Sequence, residues 1–122
     1  MTRKRAAAVL VMVVSLATTA HADERPETPS RDDVVAAMNG VSEAVSRCGR
    51  GWYGLIPTAM VFEGQSGRVT SALAGGDAPP EVKRCAEAAV GAARVRPFRQ
   101  AEFRVNYPFR IFAPGTAPRD HR

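Results

Sequence analysis

Phe103-Arg104-Val105-Asn106-Tyr107-Pro108-Phe109-Arg110-Ile111 is the stretch that decides what fold this chain can adopt. Phe103, Val105, Tyr107, Phe109 and Ile111 alternate with Arg104, Asn106, Pro108 and Arg110. That period of two predicts a strand with one buried and one wet face, because successive strand side chains point to opposite sides of a sheet. Pro108 adds a position. A residue with no N–H belongs at a sheet edge or a bulge, so this strand is expected at an edge.

A strand with one apolar face needs something to cover it, and the residues upstream supply two helices. Pro79 and Pro80 suit a first helical turn, where a missing N–H breaks no internal bond. Val82, Cys85, Ala86, Ala89 and Ala93 follow at helical spacing, with Val90 beside them, until Pro97 closes the segment. Further back, Ser30 reads as an N-cap with Asp33 three residues on, and Asp32 and Asp33 lie at the positive end of the helix dipole. Val34, Met38, Val41, Val45 and Cys48 then recur at spacings of four, three, four and three, and Gly49 stands as the expected C′ residue.

Between the helices, Leu55 to Phe62 and Arg68 to Leu73 are apolar-rich runs joined by Glu63-Gly64-Gln65-Ser66-Gly67, the pattern of a hairpin with a loop of about five residues. Ile56, Met60 and Phe62 are expected on one face of the first strand, Val69 and Leu73 on one face of the second. Pro57 suggests an irregular start, and Trp52 with Tyr53 either plugs the end of the helix pair or faces a partner. The whole is an α+β domain over residues 31–112: helix, β-hairpin, helix, strand, as a three-stranded antiparallel-type sheet with two helices packed on one face.

Residues 1–22 read as a signal peptide. Thr2-Arg3-Lys4-Arg5 is a basic start, Ala6 to Ala17 an uncharged apolar run, and Ala20-His21-Ala22 a small-x-small site, so cleavage is expected after Ala22. The run is shorter than the roughly 20 apolar residues of a membrane span, so no stable span is expected after cleavage. No cysteine follows the site to carry a lipid, and Lys4 splits the arginines, which leaves general secretory export to the periplasm or the medium. Residues 23–30 read as a disordered lead and residues 113–122 as a flexible tail.

In an exported domain this small, Cys48 and Cys85, the chain's two cysteines, are expected to form one disulfide between the helices. They lack the Cys-x-x-Cys spacing of a redox site, and neither a third thiolate nor a core histidine completes a zinc shell.

The same inventory argues against an enzyme. With the signal removed only His121 remains, in the tail, so no triad or histidine base has a framework. Asp32 with Asp33 and Glu81 with Glu87 read as caps and solvated helix faces. Gly64-Gln65-Ser66-Gly67 joins two strands, not a strand to a helix, and is no phosphate cradle. No catalytic residue, metal or cofactor is expected.

Charge narrows the partner. Removing three of the 17 basic residues with the signal leaves 14 against 12 acidic, a formal +2, too little to imply non-specific nucleic-acid binding. Residues 83–122 nevertheless hold nine basic groups, eight of them arginine, against three acids. Arginine pairs with carboxylates and phosphates in a bidentate fork.

The element order, with Gly67-Arg68-Val69 opening the second strand, Arg96-Pro97-Phe98 as a proline-containing link and Asn106-Tyr107-Pro108-Phe109-Arg110 in the last strand, resembles the TonB C-terminal domain. The cysteine ending helix one, the Cys85-Ala86 step and the Tyr-Pro-Phe strand look more like its AgmX/PglI C-terminal branch. The resemblance implies a small module that binds an extended partner segment by strand addition. TonB energy transducers also carry a long proline-rich stretch and a retained anchor, whereas here about eight residues separate the expected cleavage site from helix one, so energy transduction is not expected. The expectation is thus an exported module binding another envelope protein, with Arg104, Asn106 and Arg110 lining the accessible side of the last strand. The alternative is a binder of an anionic small ligand or envelope polymer through the arginine-rich C-terminal part.

Overall fold

The computed structural model describes residues 24–115. Residues 1–23, where a signal peptide and its cleavage site are expected, and residues 116–122 lie outside the described residues. The order of elements is α1 (Arg31–Ser46), β1 (Gly54–Glu63), β2 (Val69–Ala74), α2 (Pro80–Val90) and β3 (Glu102–Ile111). The strands form one antiparallel sheet in the order β2-β1-β3, and both helices cover a single face of it.

α1 begins where its cap dictates. The Asp33 N–H donates to the Ser30 hydroxyl at 3.0 Å, and Ala37, Met38, Val41 and Val45 bury the stripe that the spacing marks out. The helix ends earlier than the sequence suggests: Arg47 is the C-cap, and Gly49 is not left-handed. A tighter turn, with Cys48 N–H to the Val45 carbonyl at 2.9 Å, carries Cys48 into the interior. The left-handed reversal falls on Arg50 and Gly51 instead.

α2 starts at Pro80 as expected but stops at Val90, well before Pro97. Ala93 remains buried, though past the end of the helix, and the chain from Arg94 to Phe98 runs along the hairpin loop before bending at Arg99 to Ala101. Backbone bonds join Gly64 to Ala101, Phe98 to Gly64 and Val95 to Gly67. This seam requires glycine. A Cβ on Gly64 would strike the carbonyl oxygens of Gln100 and Phe98, and one on Gly67, whose φ is 72°, would strike that of Val95. Helix propensity past Val90 loses to these long-range bonds, which no local pattern reveals.

The lead is held down over part of its length and does not behave as a disordered segment there. Arg99 and Gln100 donate their N–H groups to the carbonyls of Pro26 and Glu27, Arg99 pairs with the Glu27 carboxylate at 3.2 Å, and Pro29 is buried. Polar composition suggested disorder, but backbone groups need only a matching partner.

β2 corrects a second expectation. Phe62 pairs with Val69 but Val61 pairs with Ser71, so Thr70 is an extra residue in a bulge. The bulge shifts the alternation by one. Val69, Ala72 and Ala74 face the helices, while Leu73 is turned to the outer face and is 68% exposed. Pro57 also sits in regular pairing, opposite Pro108, and starts no irregularity. Its missing N–H faces the β2 side just where β2 ends, and its carbonyl accepts from Gly75 at 2.7 Å.

Cys48 and Cys85 are joined, with Cα atoms 5.6 Å apart. Cys48 is fully buried, whereas Cys85 lies beside the buried stripe of Val82, Ala86 and Val90 and is exposed, so the bridge straps the rim of the helix pair. Trp52 packs on the core cluster, whereas Tyr53 is exposed.

Candidate interaction edge and outer sheet face

A sheet in the order β2-β1-β3 has two free edges, and the structure treats them differently. Along β2, six residues long and bulged, α2 lies close enough for Glu87 to take the Ala74 N–H on its carboxylate at 2.8 Å. Glu87 is thus no solvated acid, as its sequence position suggested. It occupies an edge donor that would otherwise face outward. Only the packing of α2 beside β2 could reveal this.

β3 is ten residues long and pairs on one side only among the described residues. Which of its backbone groups face outward follows from the ladder. Gly75 bonds to Pro57 and Arg68 to Glu63, so the odd-numbered residues of β1 serve β2; Gly64 bonds to Ala101, so the even-numbered ones serve β3. In an antiparallel ladder such groups alternate. In the β1–β3 register Ile56 faces Phe109, Thr58 faces Tyr107 and Met60 faces Val105. Glu102, Arg104, Asn106, Pro108 and Arg110 therefore turn their N–H and C=O groups to the open edge. Pro108 puts its missing donor there, where it breaks no bond within the sheet.

Arg104, Asn106 and Arg110 stand together on the outer side of this strand and are all exposed. Their neighbours across the ladder are Val61, Ala59 and Leu55, all apolar. Leu55, Pro57, Ala59, Val61 and Leu73 form a largely apolar outer face, with a shallow groove of about 430 Å³ between Leu73, Ala59 and Asn106. Leu73 and Leu55 were not singled out as surface residues in the sequence, and the bulge explains why Leu73 was missed. The Arg110 guanidinium lies 5.9 Å from the Phe112 ring centre, within cation–π range.

The arginines of the C-terminal part do not converge. Arg96 pairs with Asp33 at 3.2 Å and Arg99 with Glu27. Arg94 faces Arg68 across an isolated bridge. Arg104 and Arg110 are six strand positions apart, roughly 20 Å at about 3.3 Å per residue. No single small anion spans them. Among the described residues no cluster of three or more His, Cys, Asp or Glu is placed to hold a metal, and no helix is long and apolar enough to cross a membrane.

The class these features define is a two-layer α+β domain with one blunted and one open sheet edge. The chain matches no protein-family model, no curated protein and no solved structure.

Proposed function

We propose that the chain is an exported, non-catalytic interaction module of the bacterial envelope that binds an extended segment of another envelope protein as a fourth strand beside β3. The observation that carries this reading is the β3 edge: ten residues long, with its outward backbone groups free of any strand or helix among the described residues, while the other edge is blunted by Glu87. Unpaired strand edges are docking sites for extended chains. The disulfide agrees with an oxidising destination, periplasm or medium, reached after cleavage following Ala22. The likeness in element order and motif residues to TonB C-terminal domains, nearest the AgmX/PglI branch, supports the same mode. Nucleic acid is not among the proposed partners, and no stable membrane span is proposed once the signal is removed. An anionic ligand or polymer is the less favoured occupant, because the arginines are spread over several surfaces.

A photoreactive residue at Asn106, on the outer side of the open edge, tests the proposal in cells expressing the full chain. Irradiation is expected to give a discrete protein adduct, and the same group at Gln65 in the hairpin loop is expected to give none. No adduct from position 106, or equal adducts from both positions, would overturn it.

A further inference from the structure

We infer that the segment accepted by β3 carries two carboxylate side chains six residues apart, one beside Arg104 and one beside Arg110, with apolar side chains at the alternate positions; this rests on the strand-addition reading above. A strand laid against β3 places every second side chain on the outer face, next to Arg104, Asn106, Pro108 and Arg110, and the others next to Phe103, Val105 and Tyr107. Those three are half-buried, so apolar surface remains for an incoming strand to cover. The spacing of six holds for a parallel or an antiparallel segment, since only alternation and register enter it.

Arg104 and Arg110 differ from Arg96 and Arg99, which have carboxylate partners: no ion pair joins Arg104 or Arg110 to an acid among the described residues. Glu63 and Glu102 stand two ladder positions from Arg104, and the Glu63 carboxylate accepts from the Ser66 hydroxyl at 2.7 Å. Both arginines lie over apolar ladder partners, Val61 and Leu55. Any charge helps to keep an edge soluble, but a planar guanidinium on a strand also presents a fork that a neighbouring carboxylate fills with two hydrogen bonds.

Pro108 makes the two positions unequal. It offers a carbonyl but no donor, so the ladder to a bound segment is complete over Glu102, Arg104 and Asn106 and interrupted before Arg110. The carboxylate beside Arg104 is held by the firmer half of the ladder, and Arg104 dominates the selection.

The test uses the full mature chain and synthetic fluorescent peptides with valine at alternate positions and either two glutamates or two lysines six residues apart on the other face. The glutamate peptide is expected to bind at least about tenfold more tightly, with the gap narrowing as salt rises. Arg104→Glu is expected to reverse the preference and Arg110→Glu only to reduce it; both sites are exposed, so the fold is not at stake. Amide exchange separates the two levels of the argument. If both peptides slow exchange at Glu102, Arg104 and Asn106 but bind equally, the carboxylate inference is overturned and strand addition stands. If neither peptide binds or slows those amides, strand addition fails and the inference falls with it.

Discussion

The Ala74 N–H donates to the Glu87 carboxylate across 2.8 Å, tying the last residue of β2 to the middle of α2. This one bond satisfies an edge donor, fixes the helix against the strand and leaves β3 as the open side of the sheet. Glu87→Ala is expected to lower stability by about 1.5 kcal/mol, the scale of a hydrogen bond to a charged acceptor that is part-buried. Glu87→Gln, which keeps an acceptor, should lose less than half of that. Urea unfolding of the three proteins measures both, and equal stability of Glu87→Ala and the parent would remove the bond from the argument.

The disulfide closes a separation of 37 residues between Cys48 and Cys85. The chain-entropy model assigns such a loop about 4 kcal/mol, a large share of the net stability of a domain this size. The double variant Cys48→Ala with Cys85→Ala should therefore unfold at a much lower urea concentration than the oxidised chain. Reductant should shift the parent toward the variant and leave the variant where it is.

Gly64→Ala pushes a methyl group into two backbone carbonyls, those of Gln100 and Phe98, which cannot swing away as a side-chain end would. A loss of about 3 kcal/mol or more is expected, in the range of severe overpacking. Calorimetry should show the melting temperature falling by more than about 10 °C, taking 4–8 °C per kcal/mol for a domain of this size. Gln65→Ala, at the exposed tip of the same loop, serves as the control and should melt with the parent.

The bulge at Thr70 is tested by changes either side of it. Leu73→Thr should alter stability by no more than about 0.5 kcal/mol, because the side chain already faces water. Ala72→Lys, which turns a charge toward the helices, should cost several times as much. An unbulged strand would reverse this order, so the two variants together read the register directly.

Arg68 and Arg94 oppose each other across an isolated bridge, where like charges repel. Arg94→Glu is expected to stabilise the chain slightly, by about 0.5 kcal/mol, with the gain shrinking in high salt. A loss on that substitution would mean the Arg94 side chain serves a packing role through its aliphatic stem.

Local chemistry determined much of this protein. The stripe of Met38, Val41 and Val45, the Ser30 cap, the Pro79–Pro80 start of α2, the two hairpin strands and the alternation from Phe103 to Ile111 are each written within a few residues of one another, and hydrophobic period and capping act over that range. The cysteine pairing was also legible, because two cysteines allow one intramolecular bridge. The candidate residues Arg104, Asn106 and Arg110 came from the same alternation. Tertiary structure alone decided the rest. The early end of α2 follows from the seam between Gly64, Gly67 and residues 95–101; the outward turn of Leu73 follows from a register set against Val61; the tethering of residues 26–29 depends on a segment some seventy positions away. Pro108 already marked the last strand as an edge, but the capping of the opposite edge was invisible in the sequence, since it depends on Glu87 reaching Ala74. Periodicity specifies which face a residue presents, but a hydrogen-bond partner distant in the chain is specified only when the backbone brings both ends together.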